Sequence, residues 1–218
     1  MDGFIKSIPN EIKIVAVSKT HSCETVQHAY NSGLRIFGEN KPQELVKKYN
    51  ELPKDIEWHF IGHLQTNKIK YIVPFVSLIH SVDSPRLLAE INKEAAKRNR
   101  IIKCLLQLHI AMEETKFGFS VKELQEYLST KEFLAHTFVK IVGLMGIATF
   151  TDNTNQIRSE FHTLRTVFDE LKKTTFVGNS DFCELSMGMS NDYKIAISEG
   201  STIIRIGSLI FGERNYSK

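Results

Sequence analysis

Scarcity narrows the field first. No apolar run approaches the ~20 residues that a membrane-spanning helix needs, because Lys, Arg, His or Asp interrupts every candidate. The opening MDGFIKSIPNEIK has no long apolar core, which argues against a secretory signal. Cysteine is sparse: Cys23, Cys104 and Cys183 are odd in number and form no CxxC. Reduced thiols in a cytoplasmic protein are therefore expected, not a disulfide framework. Charge of one sign is lacking too. With 28 Lys and Arg against 25 Asp and Glu, the net +3 is far from what a dedicated nucleic-acid binder carries. No internal repeat, low-complexity tract or linker divides the chain, so residues 1–218 read as a single domain. At 42% hydrophobic content they can bury a sizeable core.

What is present is alternation. Apolar, β-branched runs at Ile12–Ser18, Arg35–Gly38, Glu57–Ile61, Ser77–Val82, Lys103–Ile110 and Lys140–Ile147 read as strands. Between them, helices are expected at Ser22–Asn31, Lys41–Tyr49, Thr66–Val73, Pro85 to about Arg98, and Val121–Leu128. Ser22 and Ser84 stand where N-caps belong, and Pro85 takes a first helical position, where its missing N–H is harmless. Asn155–Lys172 is the longest amphipathic stretch. A seventh strand ending at Ser186 and an eighth at Thr202–Ile206 complete the count. Eight strands with intervening helices predict a (β/α)8 barrel, though about 250 residues is more usual for one. A doubly wound sheet also alternates, but six strands would be more usual there.

The stretch Leu185–Gly212 organises the rest. Met187-Gly188-Met189-Ser190 reads as a tight turn into a helix from about Asn191 to Ser198, stopped at Gly200. The last strand then runs into Gly207-Ser208, where another short helix can start. Two small-residue turns opening onto helix N-termini make an anion site, so a phosphate is expected here. A barrel places such a site after strands seven and eight and brings strand eight beside strand one. Lys19, just past strand one, then sits at the mouth. Its ammonium could pair with the phosphate, or its neutral amine could form a Schiff base with an aldehyde. Lysine at one end of a pocket and a phosphate cradle at the other match pyridoxal phosphate, with Arg205 facing the pyridine nitrogen.

The motifs AVSKTH (16–21), IFGENKPQE (36–44), WHFIGHLQTNK (58–68), GLMGIAT (143–149), LSMGMSNDYKIAI (185–197) and GSTIIRIGSLIFG (200–212) resemble, in order, those of the pyridoxal phosphate homeostasis proteins, the YggS/PROSC family. That family is related to the N-terminal barrel of alanine racemases. The resemblance implies a TIM barrel of alanine racemase N-terminal type, with pyridoxal 5'-phosphate covalently bound at Lys19. It implies that Ser186 contacts the phosphate, with backbone from Gly207 and Ser208, that Arg205 lies near the ring nitrogen, and that Asn40 lies near the ring. His59, Met145 and Met187 are implied as pocket walls. The chain departs from the family in a shortened N-terminal segment, with about ten residues before Ile12. The implied function is intracellular cofactor homeostasis, holding, buffering or supplying the cofactor, with apo enzymes that use it as partners.

Arginine beside the pyridine nitrogen leaves that nitrogen unprotonated, because two cations repel. The resulting poor electron sink argues against efficient catalysis, as does the lack of the second base that alanine racemases take from a second domain. No catalytic residue is therefore assigned. A low-efficiency amino-acid racemase on the same cofactor is the alternative, and a barrel binding another phosphorylated metabolite without a covalent link is the third. Duller readings stand beside each residue. Lys19 could be a surface lysine and Arg205 a structural ion-pair partner; Ser186 and Ser190 could only cap a helix, and the methionines of SMGMS could be core filler. His59 and His63, with His21 or Cys23, invite a zinc reading, but they share no helical face and no third ligand has the right spacing. The basic run Lys93–Arg100 reads as a solvated helix end rather than a nucleic-acid patch, whereas Lys68 and Lys70 are more ambiguous. With no obvious exposed apolar stripe, a monomer is expected.

Overall fold

The computed structural model describes residues 2–113 and 117–212. Its eight strands form one closed barrel in sequence order, every neighbouring pair parallel, with the last strand paired to the first. The order is α1 (Asp2–Lys6), β1 (Lys13–Val17), α2 (Cys23–Asn31), β2 (Ile36–Glu39), α3 (Pro42–Glu51) and β3 (Glu57–Phe60). A 3-10 turn at Thr66–Lys68 leads into α4 (Ile69–Ile72), followed by β4 (Leu78–Val82), α5 (Pro85–Ala96) and β5 (Ile102–Leu108). Then come α6 (Val121–Leu128), α7 (Lys131–Leu134), β6 (Val139–Gly146), α8 (Thr154–Lys173), β7 (Glu184–Met189), α9 (Tyr193–Ser198), β8 (Ile203–Ile206) and α10 (Ser208–Phe211). The barrel expected from alternation is the one observed.

Caps set the helix starts. Ser22 and Ser84 accept from the backbone N–H of Thr25 and Leu87, and Ser120 forms a reciprocal capping box with Glu123. The strand period of two sorts side chains between two layers. Val15, Leu78, Leu105, Val142, Met145 and Ile203 pack together inside the barrel, while Ala16, Phe37, Trp58, Ile79, Cys104 and Leu144 face the helices. At the N-terminal end of the strands, Lys13 pairs with Glu184.

Three elements depart from expectation: α1, the short helix α7 and the end of β7. The segment before β1 contains the short helix α1. Phe4 and Ile8 pack with Ile204, Ile206 and Tyr193, outside β8 and not across the barrel's end. In addition, β7 does not stop at Ser186. It continues to Met189 with a register shift against β8 between those two residues, so the expected turn at residues 187–190 is a bulged strand end.

Candidate active site: a cavity at the C-terminal ends of the strands

A cavity of about 730 Å³ opens at the C-terminal end of the barrel. Most of its lining comes from strand ends, with Thr154 and Ile157 of α8 and Ile195 of α9 added. β1 leads to Val17 and Lys19, β2 to Asn40, β3 to Ile61, β6 to residues 147–152, β7 to residues 189–192, and β8 supplies Arg205 with Gly207 and Ser208 just beyond it. Lys19 and Arg205 line the same cavity because β8 closes against β1, with Val15 opposite Arg205 and Ala16 opposite Ile206. Phe150, 86% exposed, stands on the rim.

Five of the residues singled out in the sequence line this cavity: Lys19, Asn40, Arg205, Gly207 and Ser208. Four do not. Met187 is fully buried among the outward-facing core residues beside Ala196, because the strand period turns it from the barrel axis. Met145 is packed in the barrel interior with Val15 and Ile203. Ser186 and His59 are buried members of a hydrogen-bond chain. The serine of SMGMS that reaches the cavity is Ser190, carried there by the bulge at the end of β7. Its hydroxyl accepts from the N–H of Gly207 at 3.3 Å, joining the two small-residue turns. Gly188 makes the bulge possible. It adopts φ +97°, and a Cβ there would sit 2.6 Å from the Cβ of Ala196 on α9.

The chain beneath the cavity includes His80, which no sequence motif marked. Arg205 donates to Ser186 Oγ at 2.7 Å and to the Gly146 carbonyl at 2.9 Å. Ser186 Oγ lies 2.9 Å from His80 Nδ1, and His80 Nε2 lies 3.0 Å from His59 Nδ1. The Ser186 hydroxyl, which accepts from Arg205, and the two imidazoles form one continuous hydrogen-bonded chain in which the ring nitrogens' donor and acceptor roles follow the tautomer. Burial makes charge expensive here. It pushes His59 down to about 3 and His80 well below the usual imidazole range, with Lys13 and Lys103 adding to the effect on His59, and His59 and Arg205 to that on His80. Burial also lowers Arg205 to about 10, against an opposing pull from Asp192. Both imidazoles are thus neutral, and the buried cation is held by a hydroxyl and a carbonyl. His80 was detectable in principle, since it alternates with the inward Leu78, yet in LIHSV it reads as strand filler.

At the cavity wall, the buried Oδ1 of Asn40 accepts no hydrogen bond among the described residues. An unpartnered amide oxygen, a strand-end lysine, a buried arginine and a Gly-Ser turn fit an anionic ligand that also carries an electrophile and a hydrogen-bond donor. His63 pairs with Asp83 at 3.0 Å and stacks on Phe117, and His21 stacks on Phe211. Among the described residues, no group of three or more His, Cys, Asp or Glu could hold a metal ion. The described cysteines are all free, and no described helix is long and apolar enough to cross a membrane.

Residues 4–215 match the family described as "Alanine racemase, N-terminal domain". The chain is 44% identical over 208 residues to the "Pyridoxal phosphate homeostasis protein" of Aquifex aeolicus, covering 95% of this chain and 89% of that one. It is 40% identical to the protein of the same name from Helicobacter pylori, covering 93% and 88%. Among solved structures, PipY of Synechococcus elongatus without PLP superposes with a TM-score of 0.90 at 34% identity, covering 97% of both chains, and PipY with PLP bound gives 0.88. Alanine racemase of Clostridium difficile shares the fold at 12% identity and a TM-score of 0.75 over 56% of its length.

Proposed function

Because this chain belongs to the pyridoxal phosphate homeostasis proteins and to the alanine racemase N-terminal-domain family, we propose that it binds pyridoxal 5'-phosphate. In this reading it holds the cofactor as a Schiff base on Lys19 and buffers or supplies it in the cytoplasm, as a monomer. The observation that carries the reading is the convergence of Lys19 and Arg205, from adjacent strands, on one cavity. When bound, the cofactor supplies an aldehyde and an electron-accepting pyridine ring.

Each residue then has a task. Lys19 provides the amine. Gly207, Ser208 and the Ser190 hydroxyl cradle the phosphate at the start of α10. Ser186 supports from beneath, through Arg205, rather than touching the phosphate itself. Asn40, in the cavity wall, flanks the ring. His59 and Met145 back the site from the barrel interior. Arg205 keeps a positive charge at the ring nitrogen, and a second proton there would be repelled. That nitrogen therefore stays unprotonated, carbanion stabilisation is weak, and storage with delivery to apo enzymes is favoured over turnover.

The test is an absorption spectrum of the protein loaded with pyridoxal 5'-phosphate, with and without borohydride, beside Lys19→Ala. A yellow protein that bleaches on reduction, with the adduct mapped to Lys19 and absent from the variant, is expected. A protein that stays colourless after addition of the cofactor would remove the reading. Robust alanine racemization at low protein concentration, abolished by Lys19→Ala, would replace it with the racemase alternative.

A further inference from the structure

The cavity accounts for one side of Lys19; the residues that tie down its backbone lie behind the strand. Alternation along β1 sends Val15 and Val17 inward and leaves Ser18, fully buried, facing α3. The Ser18 hydroxyl donates to Glu39 Oε1 at 2.6 Å, and its carbonyl accepts from Lys48 Nζ at 2.7 Å. Lys48 also binds Glu39 Oε1 at 2.5 Å. On the other side of Lys19, the Thr20 N–H donates to Glu44 Oε2 at 2.9 Å, and that oxygen lies 3.8 Å from Lys48 Nζ. Both chain neighbours of Lys19 are therefore tied to one cluster of three charged side chains.

The cluster is a poor way to stabilise a fold. Glu39 and Lys48 are 0% and 4% exposed, and a buried ion pair gains little over apolar residues of similar volume. Burial pushes the Glu39 carboxyl up, with Lys48 and Ser18 pulling it back, and its Oε2 accepts no hydrogen bond among the described residues. Thr20 adds backbone strain. It is β-branched and adopts φ +71°, a costly conformation that persists only where its surroundings over-determine it. Two costly features thus flank a single lysine, and Glu39, Lys48 and Glu44 maintain both.

We propose that Glu39, Lys48 and Glu44 are positioning residues, which hold residues 18–20 so that the Lys19 amine faces the cavity in reach of an aldehyde. The proposal deepens the cofactor reading and rests on it only for the identity of that aldehyde. In the step served, the Lys19 ammonium first releases a proton to water. Its nitrogen lone pair then adds to the carbonyl carbon. The carbonyl oxygen departs as water with the two remaining amine hydrogens, leaving a C=N bond. Addition of this kind requires the reacting atoms about 3–3.5 Å apart, and misplacement by about 1 Å can cost up to 100-fold in rate.

The experiment uses the full-length apo protein and two probes. Reductive methylation with formaldehyde and cyanoborohydride, mapped by mass spectrometry, reports Lys19 reactivity against the 86%-exposed Lys122 as an internal standard. Pyridoxine 5'-phosphate, which carries an alcohol in place of the aldehyde, reports binding in the cavity without the amine reaction. In Lys48→Met, the Lys19 rate is expected to fall about 10-fold or more, with recovery in Lys48→Arg and unchanged affinity for the alcohol analogue. Glu44→Ala removes the acceptor of the Thr20 N–H, leaves the buried pair intact and is expected to slow Lys19 in the same direction, so the test survives if Lys48→Met does not fold. An unchanged Lys19 rate in the folded variants overturns the proposal. So does a parallel loss of analogue affinity and circular dichroism, which would mark a merely structural role. If the wild-type chain binds neither the analogue nor pyridoxal 5'-phosphate, the cofactor reading falls, while methylation still decides the clamp.

Discussion

Ser186 shows how a residue can belong to a site without lining it. Its hydroxyl accepts from the buried Arg205 and is hydrogen-bonded to His80, so it is one of the two acceptors, with the Gly146 carbonyl, that hold the guanidinium among the described residues. Ser186→Ala would leave a buried charged donor short of a partner, a defect costing about 1–3 kcal/mol. Urea denaturation of the apo protein should show that loss without a change in slope. The sequence places Ser186 on β7 but not its burial beneath the cavity, because the bulge that brings Ser190 to the cavity depends on pairing with β8. Met187 turns from the barrel axis with the strand period. Small and apolar residues in SMGMS carry no local mark of which face they take.

Among the elements, α9 is held where it is by contact with β7. Gly188 lies under Ala196, and its left-handed backbone leaves no room for a side chain. Gly188→Ala should destabilise the chain by about 1–3 kcal/mol through φ strain, with a steric term added. It should also weaken binding of pyridoxine 5'-phosphate, because Ser190 moves with the bulge; paired urea and binding titrations check both. Ser120→Ala is the contrasting case. It breaks a capping box on α6, outside the cavity lining, and should cost about 1 kcal/mol while leaving that binding unchanged. Caps such as Ser22, Ser84 and Ser120 are local, involving atoms within three residues, which is why the helix starts they mark lie close to those expected. The helices α1 and α7 were not anticipated, since five and four residues offer too little periodicity.

Across the whole molecule, burying neutral imidazoles inside the barrel makes stability depend on pH. His59 has a folded value of about 3 against 6.5 in an exposed chain. Its contribution is therefore complete above about pH 6.5 and is lost as pH falls toward 3, by roughly 2 kcal/mol at pH 5. The buried Glu39 works in the opposite sense, since a raised carboxyl stabilises the folded state more as acid is added. His80, also lowered, reinforces His59. The urea midpoint should consequently fall between pH 7 and 5, and His59→Gln should flatten that fall. A slope identical to wild type in the variant would show that the loss comes from elsewhere.

Alternating strands and helices were enough to predict the closed barrel, because each element is specified by its own periodicity and its own caps, and eight parallel strands have few ways to bury both faces. The position of Lys19, Gly207 and Ser208 followed from the same rule, as strand ends of a barrel share one rim. What the chain could not reveal before folding was which side chains occupy the interior beneath that rim. The meeting of His59, His80, Ser186 and Arg205 includes a direct contact, His80 to Ser186, between residues 106 positions apart. Likewise, the tie from α3 and the end of β2 to the residues beside Lys19 exists only once β1 and β2 lie side by side. Contacts between distant segments depend on register and bulges, and those are settled by packing across the closed sheet rather than by any residue's own preference.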